Sequence, residues 1–141
     1  MVDEAAPIDS VPRWFEGIKL NYAENMLWSR DTAAGDPPGH HGKVGKEDHK
    51  IALTEVREGA SEIRHVTWAS LRSLSGQYAT ALHDAGVRRG DRIVVVAANS
   101  IETLVLLLAT TWLGALFSSS STDMGVQGIL QRTVQVNPKV S

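Results

Sequence analysis

Residues 90–121 read GDRIVVVAANSIETLVLLLATTWLGALFSSSS, and no other stretch constrains the fold as tightly. A Gly90-Asp91 turn signal precedes a β-rich apolar run over 92–97. Residues 99–114 carry a helical pattern, and 115–118 restart an extended apolar run. Strand, helix and strand with short joints make a βαβ unit, which requires a parallel pair and a right-handed crossover. The segment 101–109 is apolar nearly all round. A surface helix shows a single apolar stripe, so this one is expected between layers. The class is α/β, and this unit has more core than the remaining sequence can cover.

The preceding segments supply a hairpin and a helix. Residues 50–56 and 62–66 flank Arg57-Glu58-Gly59-Ala60-Ser61, the pattern of a β-hairpin with a longer loop. Thr67 then caps a helix whose Leu71, Leu74, Tyr78, Leu82 and Ala85 recur at spacings of three and four, with Gly86 as the left-handed stop. This helix is expected to cover one face of the sheet.

Nearer the N-terminus, Asn21-Tyr22-Ala23-Glu24 places a capping residue three positions before a Glu and predicts a short helix over 22–29. Trp14, Phe15 and Trp28 are expected to bury against the later domain. Residues 1–13 read as an extended arm, and 31–49, rich in Gly, Pro, His and charge, as a flexible surface loop.

The lysines of that loop do not make a phosphate loop, because neither Lys43 nor Lys46 is followed by Ser or Thr. His40, His41 and His49 lack partners at helical spacing, so solvated loop histidines are favoured over a metal site. No metal ligand is assigned.

Beyond the βαβ unit, Asn99-Ser100-Ile101-Glu102 repeats the cap-to-Glu pattern, which favours a capping role for Glu102 over a catalytic one. Residues 118–123 read as a polar loop at the C-terminal end of a parallel strand, where ligands bind in open α/β sheets. Thr122 or Asp123 is expected to cap the next helix. Val126, Ile129, Leu130, Thr133 and Val134 mark that helix as amphipathic, Asn137-Pro138 ends it, and residues 139–141 look like another strand.

Composition bounds the partners. A formal charge of -2, with Arg88-Arg89 the one adjacent basic pair, gives no nucleic-acid or membrane-surface footprint. With no cysteine there is neither a disulfide nor thiolate chemistry, and an acidic N-terminus without an apolar stretch is not a signal peptide. A cytoplasmic location is expected.

Several segments, in order, resemble the adenylate-forming acid–thiol ligases, and within them the acetoacetyl-specific branch. The run WFEGIKLNYAEN from Trp14 to Asn25 is similar to that family's opening signature. Thr67-Trp68 with Leu71-Arg72 is similar to its TWxxLR helix start. Gly90-Asp91-Arg92-Ile93-Val94 through Asn99 and Glu102 follows the superfamily's GDxV…PNxxE pattern. Leu113-Gly114-Ala115-Leu116-Phe117-Ser118-Ser119, then Asp123, Gly125 and Arg132, is similar to the acetoacetyl branch. Departures are Ala98 and Thr122, where the family carries Pro, and Met124, where it carries Phe. Ala98 is expected to loosen the turn before Asn99.

The resemblance implies the N-terminal part of a layered adenylate-forming domain. Residues 1–49 would be an arm, short helix and flexible loop, and 50–141 an incomplete α/β adenylation domain. The implied reaction is acetoacetate plus ATP and CoA to acetoacetyl-CoA, AMP and pyrophosphate, assisted by Mg2+. The family's phosphate loop, adenine motif, ribose-binding Asp and catalytic Lys are not in this sequence, so no catalytic residue carries over. The chain by itself is expected to be inactive, to bind none of these cofactors tightly, and to need the remainder of the ligase to cover its core. What transfers is a CoA-side role for Ser119, Ser120 and Arg132. Two other readings stay open: a non-catalytic binding module, and a fragment of an acetyl- or other acyl-CoA synthetase.

Overall fold

The computed structural model describes Pro7, residues 17–30 and residues 43–140. In chain order the elements are α1 (Tyr22–Leu27), β1 (Trp28–Arg30), β2 (Lys43–Gly45), β3 (Ile51–Val56), β4 (Ile63–Thr67), α2 (Trp68–Asp84), β5 (Arg92–Val96), α3 (Ile101–Trp112), β6 (Leu116–Ser120) and α4 (Gly125–Val136). The strands form three separate pairs, β1–β2 and β3–β4 antiparallel and β5–β6 parallel. Val140 bridges Ile93 in parallel on the other edge of β5, so residues 139–140 begin the third strand expected there. The βαβ unit is therefore present, with a second crossover through α4.

Local chemistry explains the ends of these elements. Asn21 Oδ1 accepts from Glu24 N at 3.0 Å and caps α1, while Asn21 Nδ2 donates to Trp112 O at 2.9 Å at the far end of α3. One side chain thus serves two helix termini. Thr67 Oγ1 accepts from Ser70 N and starts α2. Helix α2 ends with Gly86 N donating to His83 O and Val87 N to Leu82 O, the Schellman pairing, with Gly86 at φ 91°. Gly114 ends α3 in the same way, through Gly114 N to Thr111 O and Ala115 N to Thr110 O.

Two apolar clusters result. The larger joins Ala23 and Leu27 of α1, Val66 of β4, Leu71 of α2, and Ile101, Val105 and Leu108 of α3. The smaller lies under the parallel pair, with Val87, Ile93 and Ala115 buried and Leu82 packed on them. Helix α3 is the shared wall, meeting α1, α2 and β6. Trp28 is half-buried against the larger cluster, as expected; Trp14 and Phe15 lie outside the described residues.

Several expectations are corrected. Helix α2 packs chiefly on α3, also meets β3 and β4, and contributes Leu82 to the cluster under the parallel pair. Its buried face is Leu71, Arg72, Ser75 and Ala79, while Tyr78 and Ala85 are exposed, because small residues let two helices approach closely. The first helix stops at Leu27 rather than Ser29, since Trp28 already pairs in β1. Residues 43–45, expected in a loop, form β2; residues 31–42 lie outside the described residues.

Candidate functional site

Ligands of open parallel sheets gather at the carboxyl ends of the strands, and here that end is formed by Val96, Ser120 and the turn into α3. Val96 pairs with Ser120, and Ala97 N donates to Ser120 O at 3.3 Å. At the Pro-to-Ala departure, Thr103 Oγ1 donates to Ala98 O at 2.8 Å. Ser100, not Asn99, is the capping residue of α3, accepting from Thr103 N.

That one-residue shift takes Glu102 out of the capping-box position. Its carboxylate instead pairs with Arg64 Nη1 on β4. The hydrogen bond from Arg64 holds the Glu102 carboxyl below the usual carboxylate range, and the same bond, with the negative charge behind it, raises the Arg64 guanidinium. Glu55, opposite Arg64 in the hairpin register, accepts from Ile101 N at 3.4 Å. Two carboxylates of the protein itself therefore occupy the positive end of α3. Beside them lies an open cleft of ≈ 350 Å³ lined by Leu53, Glu55, Val56, Asn99, Ser100 and Leu104, among others. With its helix terminus already neutralised, this cleft is not a phosphate cradle.

The polar run expected as a loop is a strand: Ser118, Ser119 and Ser120 belong to β6. In an extended, pleated strand successive side chains alternate, so Ser119 and Ser120 point to opposite faces. Ser119 is exposed, whereas Ser120 is buried with no hydrogen-bond partner for its Oγ among the described residues. Arg132 is exposed on α4. Among the described residues its side chain makes no hydrogen bond or ion pair, and none joins it to either serine. Neither Thr122 nor Asp123 caps α4: they form a short 3-10 turn, and the cap position falls on Met124 without a side-chain bond. His49 is exposed, His40 and His41 lie outside the described residues, and no group of three potential metal ligands occurs among the described residues.

Sequence reasoning missed Arg64 and Glu55. Their signal was the hairpin register, which sets Glu55 opposite Arg64, but aligning the two strands needs the length of the 57–62 connection in three dimensions.

The family model of the AMP-binding enzyme matches residues 42–140, which include the hairpin, both crossovers and every residue of the cleft. The chain belongs to the AMP-binding enzymes. Within this family it is 39% identical over 140 residues to an acetoacetyl-CoA synthetase of Gallus gallus, covering 99% of this chain and 19% of that one. It is 34% identical over the same length to a malonamoyl-CoA synthetase of Penicillium aethiopicum, of which it covers 18%. Among solved structures, the acetoacetyl-CoA synthetase from Streptomyces lividans matches with a TM-score of 0.70 and 37% identity, over 90% of this chain and 17% of that one. The chain thus spans under a fifth of the length of each of these three enzymes. Among the described residues no helix is long and apolar enough to cross a membrane.

Proposed function

We propose that this chain is the N-terminal portion of an AMP-forming acyl-CoA ligase acting on acetoacetate, ATP and CoA to give acetoacetyl-CoA, AMP and pyrophosphate. The observation that carries this reading is the likeness to the Streptomyces lividans synthetase, which combines 37% identity with a TM-score of 0.70 over 90% of the chain. Residues 50–141 act in it as an incomplete adenylation domain, with residues 1–49 as an N-terminal arm, short helix and flexible loop. A cytoplasmic location goes with a chain that has no cysteine.

ATP and Mg2+ do not fit the described residues of this chain. The hydroxyl-rich run is a strand with alternating faces, the first turn of α3 holds Glu55 and Glu102, and the described residues offer no three-ligand metal cluster. In this reading the nucleotide and metal chemistry belongs to the rest of the ligase, and the segment contributes scaffold. CoA is the exception. Ser119 presents an exposed hydroxyl; among the described residues the exposed Arg132 guanidinium and the buried Oγ of Ser120, next to Ser119 in sequence, have no hydrogen-bond partner. These three are the groups we assign to the CoA side, where a guanidinium suits phosphate oxygens.

A second reading, a ligase for another short acid, has one observation in its favour: the malonamoyl-CoA synthetase matches over the same 140 residues. Both readings meet one experiment. The reading frame beyond the Ser141 codon is sequenced, its full product is purified, and ATP–pyrophosphate exchange is measured with acetoacetate, malonamate and acetate. Exchange dependent on acetoacetate supports the proposal, and exchange with another acid but not acetoacetate moves it to the second reading. Exchange by the 141-residue chain alone would overturn the scaffold role. A genuine stop after Ser141 in both transcript and genome would favour a non-catalytic binding module.

A further inference from the structure

The ribbon of β1 and β2 is three residue pairs long and joins neither of the other strand pairs. A two-stranded ribbon of that size has no stability of its own in water. One side chain grips the two strand termini at one end of it. Arg72 Nη1 donates to Leu27 O at 3.3 Å, just before β1, and to Lys46 O at 3.4 Å, just after β2. Its Nη2 is paired with the Asp48 carboxylate, and the guanidinium carbon lies 5.0 Å from the centre of the Trp28 ring. Arg72 is only 8% exposed. A charge so far from water persists only where its donors are matched, so the acceptors and the guanidinium hold one another in place.

The same residues reach the start of α2. Asp48 O accepts from Ala69 N and Lys50 O from Trp68 N, both at 3.1 Å. These bonds occupy backbone donors in the first turn of α2, which no intrahelical carbonyl can satisfy. Lys46 Nζ lies 4.8 Å from the Trp68 ring and adds a second contact on this side. The larger apolar cluster shares Leu27 with this network and has Trp28 and Trp68 packed against it, but its members Val105 and Leu108 lie on α3, which takes no part in these bonds.

We propose that Arg72 is a positioning clamp. Its guanidinium fixes the spacing of the β1 and β2 ends and couples them to the first turn of α2. The ribbon and residues 46–50 then open as one local unit when the clamp is lost, while the α2–α3 core stays closed. Lysine cannot replace it, because one compact ammonium does not span two backbone carbonyls and a carboxylate on separate segments. This inference does not depend on the ligase reading.

Amide hydrogen exchange on the 141-residue chain tests it, comparing the unaltered protein with Arg72→Lys, Asp48→Asn and Asp48→Glu. Exchange in β1, β2, residues 46–50 and Ala69 is expected to rise about tenfold or more in the first two variants, the effect of losing a hydrogen bond to a charged group. Exchange at Val105 and Leu108 is expected to stay unchanged, and Asp48→Glu to restore most of the protection. Equal acceleration at Val105 and Leu108 would overturn the proposal, since Arg72 would then belong to the global core. Unchanged exchange in the ribbon would overturn it as well. If Arg72→Lys fails to fold, Asp48→Asn still decides, because the Asp48 side chain is 66% exposed and its replacement keeps its size.

Discussion

Helices α3 and α4 are each twelve residues long and each connects parallel strands, yet their burial is opposite. Helix α3 buries Ile101, Val105, Leu108, Ala109 and Thr110 against neighbours on several sides. Helix α4 buries none of its residues, and its Val126, Leu130 and Val134 are 72%, 52% and 78% exposed. Those three recur at i, i+4 and i+8, a stripe as regular as any in α3. Periodicity therefore specifies which face of a helix is apolar; the identity of what covers it comes from other parts of the fold. Their termini differ too. Helix α3 has a capping serine and a glycine stop, whereas α4 begins at Met124 without a side-chain cap and ends on Asn137 at φ 49°.

The sharpest way to break this comparison is to truncate a leucine in each helix. Leu108→Ala is expected to destabilise the chain by about 2–5 kcal/mol, through lost burial and the cavity left behind. Leu130→Ala should stay within about 0.5 kcal/mol. Denaturant unfolding of both variants checks the pair, and equal losses would show that the α4 stripe is covered in solution.

The helix ends give the next effect, with opposite signs. Gly114→Ala is expected to cost about 1–2 kcal/mol for the left-handed backbone. Crowding adds to this, since a Cβ there would sit 3.1 Å from Arg89 Cγ. Asn137→Gly should instead gain under about 1 kcal/mol, as glycine accepts the same conformation without steric cost. Thermal midpoints of the two variants should move apart.

At the N-terminus of α3, Ser100→Ala should cost about 1 kcal/mol by freeing the Thr103 N–H. Truncating Met124 to Ala, which removes no capping bond, provides the control in α4.

The smallest effect is electrostatic. Glu102 is held below its ordinary range by Arg64, so its contribution is present above that range and fades as acid protonates the folded carboxyl. Glu102→Gln should flatten the stability profile on the acid side, matching the unaltered chain at low pH and falling slightly below it at neutral pH; the loss is small because both side chains are about half exposed and solvent screens them. An unaltered acid slope would show that the pair does not form in solution.

The α/β class, the hairpin, the βαβ unit and two of the four helix stops follow from the order of residues alone. Gly86 and Asn137-Pro138 act through their own backbone preferences, and the apolar run of 101–109 needs no partner to be recognised as core. The family likeness is equally a property of that order. Tertiary structure decided what depends on residues far apart in the chain. It moved the α3 cap to Ser100 and paired Glu102 with Arg64, 38 positions away. It extended the serines into β6 alongside β5, and it closed Arg72 on Leu27, Lys46 and Asp48. A cap, a turn or a periodic face is a short-range preference, fixed by the few residues that carry it. An ion pair, a strand register or a clamp exists only after the chain has folded back on itself, so its energy is set by neighbours that no local window of the sequence contains.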